Sequence, residues 1–264
     1  MNLTARQHYV PRVYLRAWSN ADGKLKVFDK IKGGYFHASV ENVFLEKNYY
    51  EDPVGPLSNE LEKIFNVHES AFSTARDYLI FLEQNAAEFK QPIAKTLADA
   101  LMNLPHRTTA LKNFAGTAYF RTPAALNAMR EELAADERPE AKSVLESLNS
   151  PYILGIDAFN STLLDRFQKL HIILFHSQDY RFDTGDWPCF PIAGEVGSGT
   201  FASAIGRDIT AFAFMPVTPS VFLMFASNPG NREPIIISRE ISSDLAKKAN
   251  EIIRKIAVRW IVCG

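Results

Sequence analysis

Apolar residues change their spacing twice along the chain, and each change predicts a change of structure. From Lys24 to Asp29, and again around Tyr35-Phe36-His37, apolar and polar side chains alternate with the period of a half-buried strand. Lys32-Gly33-Gly34 between them accepts positive φ, so the two runs read as a hairpin, preceded by a turn at Asn20-Ala21-Asp22-Gly23. From Leu57 the period lengthens. Leu61, Ile64, Phe65, His68, Phe72, Ala75 and Leu79 recur at three- and four-residue steps, one face of a helix, with Asn59 and Glu62 set as a capping box at its start. Pro92 falls in the first turn of a second helix carrying Ile93, Leu97 and Leu101. Pro105 ends or kinks that helix, and Thr108 or Thr109 caps the next, which runs towards Phe120. Thr122-Pro123 pairs an N-cap with a first-turn proline and opens a helix from Ala124 to Ala134. Asp136 to Glu140 is a solvated connection, and a further helix is expected from about Ile156 to Leu170.

After Leu170 short apolar runs return. His171 to Phe175, Phe212 to Phe214 and Val221 to Phe225 read as buried strands, and Gly194 to Gly199 as a glycine-rich loop. Ser242 to Ile261 places Leu245, Ala249, Ile252, Ile253, Ile256 and Trp260 at helical spacing, with Ser242 or Ser243 as cap. The expected fold is α+β: a β-rich N-terminal segment, a helical middle, and a β-rich C-terminal part closed by a final helix. With no linker or repeat in view, residues 1–264 are expected to form one domain: a hairpin segment over 1–50, helices over 57–170, strands and the last helix over 171–264. Whether the two β parts share a sheet is left open by the pattern.

Composition narrows the function classes. A chain of 264 residues can bury a sizeable core, and 19 phenylalanines point to a dense one with an aromatic-lined cleft. Its 29 basic and 30 acidic residues balance to −1, so no whole-molecule field attracts nucleic acid or an anionic membrane, and only a local basic groove would bind either. Cys189 and Cys263 form neither a disulfide framework nor a zinc spacing, which suits buried thiols in a reducing cytosol. The first residues lack the apolar run of a signal peptide, and runs such as Ile172-Ile173-Leu174-Phe175 are far too short to span a bilayer. A cytoplasmic protein without membrane contact is expected.

Two segments carry the candidate chemistry. Gln7-His8-Tyr9-Val10-Pro11-Arg12-Val13-Tyr14-Leu15-Arg16-Ala17-Trp18 gathers a histidine, two arginines and three aromatics near a terminus. His8 suits proton transfer near neutral pH, or equally a hydrogen-bonded structural role. Arg12 and Arg16 stand one helical turn apart and would fork together onto phosphate or carboxylate oxygens, or else pair with acidic side chains. Arg121 lies at a helix junction where backbone amides also attract anions. The second segment, Gln178 to Pro188, holds Asp179, Asp183 and Asp186 beside the turn residues Thr184-Gly185. Such carboxylates either bind a divalent cation or close an Asx-turn on nearby amides. The remaining histidines show no metal-ligand spacing, Glu88-Phe89-Lys90 lacks an upstream acidic strand, and no Walker, Gly-x-Ser-x-Gly, HExxH or dinucleotide fingerprint occurs.

His8-Tyr9-Val10-Pro11, followed by Tyr14-Leu15-Arg16 and Trp18, resembles the N-terminal signature of a widespread bacterial family, domain of unknown function 4238. The hairpin Lys26 to Lys30, Glu41-Asn42-Val43, Asn48-Tyr49-Tyr50, Arg121-Thr122-Pro123, Phe182 to Pro188, Pro216-Val217-Thr218-Pro219 and Asn250 are similar too, so the resemblance spans nearly the whole chain. The sequence departs at Gly185, where serine is expected, and at Trp187, where asparagine is usual. The resemblance implies kinship and no activity.

The leading expectation is a metal-dependent hydrolase acting on nucleic acid or another phosphate-containing substrate, in a bacterial defence or toxin-like setting. His8, Arg16 and Asp186 would be catalytic, Arg12 and Arg121 would bind substrate, and Asp183 with Asp186 would hold Mg2+ or Mn2+. Nucleic acid or a protein encoded nearby would be the partner. The alternatives are a non-catalytic module binding protein or nucleotide, and a structural network in which His8, Arg16 and Asp183 tie the N-terminus to the sheet.

Overall fold

The computed structural model describes residues 5–52, 59–147, 163–191, 210–227 and 233–264. The loop expected at Gly194–Gly199 and the first part of the helix expected from Ile156 lie outside these residues. The fold is α+β.

A five-stranded sheet forms its centre. β5 (His171–His176) pairs parallel with β10 (Ile236–Glu240) on one side and antiparallel with β9 (Val221–Ala226) on the other, and β8 (Ala211–Pro216) and β7 (Phe190–Pro191) continue the sheet. Every residue of β5 and β9 is buried because both faces are covered. Ile172, Leu174, Leu223 and Phe225 face the helical layer, while Ile173, Phe175, Phe222 and Met224 pack with Ala246, Ala249, Ile252 and Ile253 of the final helix, α8 (Ser243–Ile256). The helical layer comprises α2 (Glu60–Gln84), α3 (Ile93–Asn103), α4 (Pro105–Phe120), α5 (Pro123–Ala135), α6 (Pro139–Ser147) and α7 (Leu163–Lys169).

The N-terminal hairpin is β2 (Lys24–Asp29) and β3 (Gly34–Ser39), with Gly33 at φ +69 in its turn. Its partner is the end of the chain. β11 (Trp260–Val262) pairs with β2 and with β6 (Thr184–Gly185), so the second sheet runs β3-β2-β11-β6 and joins both β parts. Trp260 therefore lies on a strand, where its spacing had predicted helix. The cause is long-range: Asp186 accepts the N–H groups of Val258, Arg259 and Trp260 and turns the chain out of α8.

Two further local expectations give way to tertiary bonds. Pro105 opens α4 as its first residue, and Thr108 donates its hydroxyl back to the Leu101 carbonyl at 2.7 Å, where Thr108 or Thr109 had been expected to cap. The capping box at Asn59 does not form. Asn59 adopts φ 52 and makes no side-chain cap, and the Glu51 carboxylate accepts its backbone N–H. Glu62 is thereby released from a capping role. The caps expected of Thr122 and Ser242 do form, on the Ala125 and Leu245 amides.

Gly185 lies where β6 and β11 leave little room for a side chain. A Cβ there would lie 3.0 Å from the Trp260 carbonyl oxygen and 3.1 Å from the Ala257 Cβ. Gly185→Ser is expected to cost about 1–3 kcal/mol through overpacking, read as a lower urea midpoint; an unchanged midpoint would show that β11 yields there.

Candidate active site

β1 (Arg6–His8) pairs antiparallel with β4 (Leu45–Lys47), which sets His8 opposite Leu45. Buried Gln7 anchors the ribbon: its amide donates to Glu51 at 2.7 Å and its oxygen accepts the Tyr50 N–H at 2.7 Å. Phe44 precedes β4 at φ 55, an unusual conformation for a bulky side chain, with its ring edge-on to Trp260 at 5.2 Å.

The N-terminal motif divides its side chains between two tasks. Tyr14 of α1 (Arg12–Leu15) bonds Thr184 at 2.6 Å and the Pro216 carbonyl at 2.9 Å, and the Trp18 indole donates to the Phe182 carbonyl at 2.8 Å. These aromatics hold the N-terminus to the sheets. His8 and Arg12 instead reach a cavity of about 310 Å³, whose wall they share with Arg6, Glu41 and a stripe of α2 formed by Glu62, Asn66 and Glu69. Spaced at i, i+4 and i+7, those three helix residues occupy one face.

Beneath this wall lies Arg121, fully buried. Its guanidinium donates to Glu69 at 2.8 Å, to the Tyr50 hydroxyl at 3.1 Å and to the His8 carbonyl at 2.9 Å, and it stacks 4.2 Å from the Phe65 ring centroid. Burial works against its charge, but Tyr50 and Glu69 outweigh that and raise its pKa. Arg121 thus fixes both β1 and α2 from within.

Two side-chain atoms of residues that line this cavity lack partners. His8 Nε2 and Glu62 Oε1 are both buried and make no hydrogen bond. Burial lowers the His8 pKa below 6.5, aided by Arg12 and opposed by the Val40 carbonyl. Burial raises the Glu62 carboxyl above 4.5, with Arg121 opposing. Both shifts favour the uncharged forms.

The other expected site residues lie elsewhere. Arg16 is exposed and outside the cavity wall. Asp183 accepts Arg254 Nε at 2.7 Å and the Gly264 N–H at 3.2 Å. Asp186 accepts three backbone N–H groups at 2.6–3.1 Å. Burial raises both carboxyls, with Arg254 opposing for Asp183 and the amides for Asp186. Both carboxylates are ringed by donors, a poor setting for Mg2+ or Mn2+. Among the described residues no group of three His, Cys, Asp or Glu side chains is placed to hold a metal ion. Asp186→Ala, which strands three N–H groups, is expected to destabilise the chain by about 2–4 kcal/mol in urea denaturation. Unchanged stability together with loss of a Mn2+-dependent rise in Tm would support a metal role instead.

Residues 6–264 match the family model described as "Protein of unknown function (DUF4238)". The chain belongs to the DUF4238 family. Neither a curated protein nor a solved structure matches it. Among the described residues of this DUF4238 protein, no helix is long and apolar enough to cross a membrane. Cys189 is buried and Cys263 half-buried, both unpaired, and burial raises both thiols. Trp187 donates its indole N–H to the Tyr119 carbonyl at 2.9 Å and so secures α4.

A second cleft, about 590 Å³, opens where the end of α2 meets the ends of β5 and the β8–β9 turn in this DUF4238 protein. Its histidine is fully engaged: His176 Nδ1 lies 2.7 Å from Glu240 and Nε2 3.3 Å from Glu83, whose Oε1 also accepts the Ser220 hydroxyl. Burial lowers the His176 pKa, but the two carboxylates prevail and raise it above 6.5. The stabilisation from this imidazolium is complete below 6.5 and disappears as pH climbs through the raised value. Stability plotted from pH 6 to 9 is expected to fall less steeply in Glu83→Gln; parallel curves would deny the linkage.

Sequence reading missed Arg6, Glu41, Glu62, Asn66 and Glu69. The available signal was the polar i, i+4, i+7 stripe beside the apolar face of α2, obscured because Glu62 fitted a capping pattern.

Proposed function

We propose that this DUF4238 protein is a phosphodiesterase acting on nucleic acid by general acid–base catalysis, with His8 as base and Glu62 as acid. One observation carries the reading: two buried, unpartnered, oppositely suited groups share one cavity wall. Burial favours the neutral imidazole of His8, and its unpartnered Nε2 would be the proton acceptor. Burial shifts the Glu62 carboxyl towards its protonated form, the form that would offer a proton to a leaving oxygen. Arg12 and Arg6 at the same wall would hold a phosphate and stabilise the charge it gains in the transition state. Arg121 is a positioning residue, since its own donors are engaged by Glu69, Tyr50 and the His8 carbonyl.

The test is cleavage of a labelled single-stranded oligonucleotide of mixed ribo- and deoxynucleotides, with chelator throughout. The wild type is expected to cleave it, Asp179→Asn to match the wild type, and Glu62→Gln to lose activity. No cleavage, cleavage that requires Mg2+ or Mn2+, or full activity in Glu62→Gln each contradicts the reading.

A further inference from the structure

We propose that the outward face of the β2–β3 hairpin binds single-stranded nucleic acid, with lysines on the backbone phosphates and an aromatic pair against the bases. This binding is separate from the acid–base reading and is measured without cleavage. Alternation along β2 turns Leu25, Val27 and Asp29 inward and Lys24, Lys26 and Phe28 outward. On β3 it packs Phe36 and Ala38 against the core and leaves Tyr35 and His37 exposed. The register sets Tyr35 opposite Phe28 and His37 opposite Lys26. The Phe28 and Tyr35 ring centroids lie 4.9 Å apart, and Lys26 Nζ stands 5.0 Å from the Tyr35 centroid. Tyr35 is 61% exposed, and Lys24 and Lys26 are exposed beside it.

Charge selects the occupant. The chain carries −1 overall, yet the one carboxylate of β2 and β3, Asp29, points inward. There it accepts the Ile31 and Lys32 N–H groups and the Trp260 indole N–H. The outward face therefore carries Lys24 and Lys26 with no acidic neighbour on either strand. Further basic groups extend it. Lys30 donates to the Arg254 carbonyl at 2.9 Å and to the Ala257 carbonyl, which fastens the end of α8 against the hairpin. Cys263 donates its N–H to the Lys26 carbonyl, and its thiol feels the charges of both Arg254 and Lys26. Arg254 pairs with Asp183 through Nε and keeps half of its side chain exposed. A polyanion matches this surface. A single strand also matches the rings, because its unpaired bases offer flat faces for stacking, which a duplex keeps inside. An acidic peptide or an anionic bilayer offers charge without planar faces.

The experiment is fluorescence anisotropy of a labelled oligodeoxythymidine strand, read on mixing with chelator present, for the wild type and two variants. Tyr35→Ala and the double variant Lys24→Glu/Lys26→Glu alter exposed side chains, and an unchanged Tm verifies each fold. The wild type is expected to bind, with log affinity falling against log salt at a slope of about −3 for phosphates on Lys24, Lys26, Lys30 and Arg254. Tyr35→Ala should weaken binding roughly 5- to 100-fold with the slope kept. The lysine reversal should weaken it further and bring the slope to about −1.4 or shallower. No binding by the wild type, or wild-type affinity in either variant, would overturn the proposal and leave the cleavage test of His8 and Glu62 untouched. Equal affinity for a duplex of the same length would overturn it too. So would tighter binding to phosphatidylserine vesicles that the same variants abolish, which would assign the face to a membrane surface.

Discussion

His8→Ala is expected to slow oligonucleotide cleavage by about 10²–10⁴-fold, the usual contribution of a positioned general base, with the fold retained. Removing the side chain costs only the imidazole's contact with the Val40 backbone, because Nε2 has no partner and the contact with Arg121 runs through the His8 backbone carbonyl. The loss should fall on kcat with KM little changed, since the imidazole acts on the reacting proton while Arg6 and Arg12 hold the anion. Arg12→Ala should show the converse, a raised KM. A His8→Ala protein that keeps its Tm and its kcat would remove the base from the account.

Arg121→Met is expected to destabilise the protein by about 3–5 kcal/mol, the cost of stranding one member of a buried ion pair. The Glu69 carboxylate, the Tyr50 hydroxyl and the His8 carbonyl all lose a donor together, in a setting where α2, β1 and the segment before α2 converge. Arg121→Lys keeps the charge but cannot span three acceptors, so an intermediate loss is expected. Urea denaturation measures both. Near-wild-type stability of Arg121→Met would mean that Arg121 does not hold these elements together, and that the cavity depends on something else.

How far the sequence could be read depended on the range of the interactions. Strand alternation over Lys24–Asp29, the apolar stripe of α2 and the caps at Thr122 and Ser242 are local signals, and all took the expected form. Trp260 fits helical spacing as well as any residue of α8, yet a carboxylate more than 70 positions earlier redirects it. Glu62 fits a capping box, yet Glu51 takes the amide that the box would have used. In both places a tertiary acceptor displaced a local one, which no window of sequence displays. His8, Arg12 and Arg121 could be singled out from composition and motif, and the structure gathers them at or beneath one cavity. Asp183 and Asp186 were equally conspicuous, but the donors that enclose them come from the last fifteen residues of the chain. Carboxylates that hold a chain end and carboxylates that hold a metal look alike until their neighbours are known.

The most direct measurement of the central claim is the pH dependence of single-turnover cleavage by the wild type, His8→Ala and Glu62→Gln. Activity should rise with pH as His8 loses its proton, at a pKa below 6.5, and fall as Glu62 ionises, at a pKa above 4.5. The rising limb should vanish from the residual activity of His8→Ala and the falling limb from that of Glu62→Gln. A wild-type profile with neither limb, or variants that keep both, would contradict it.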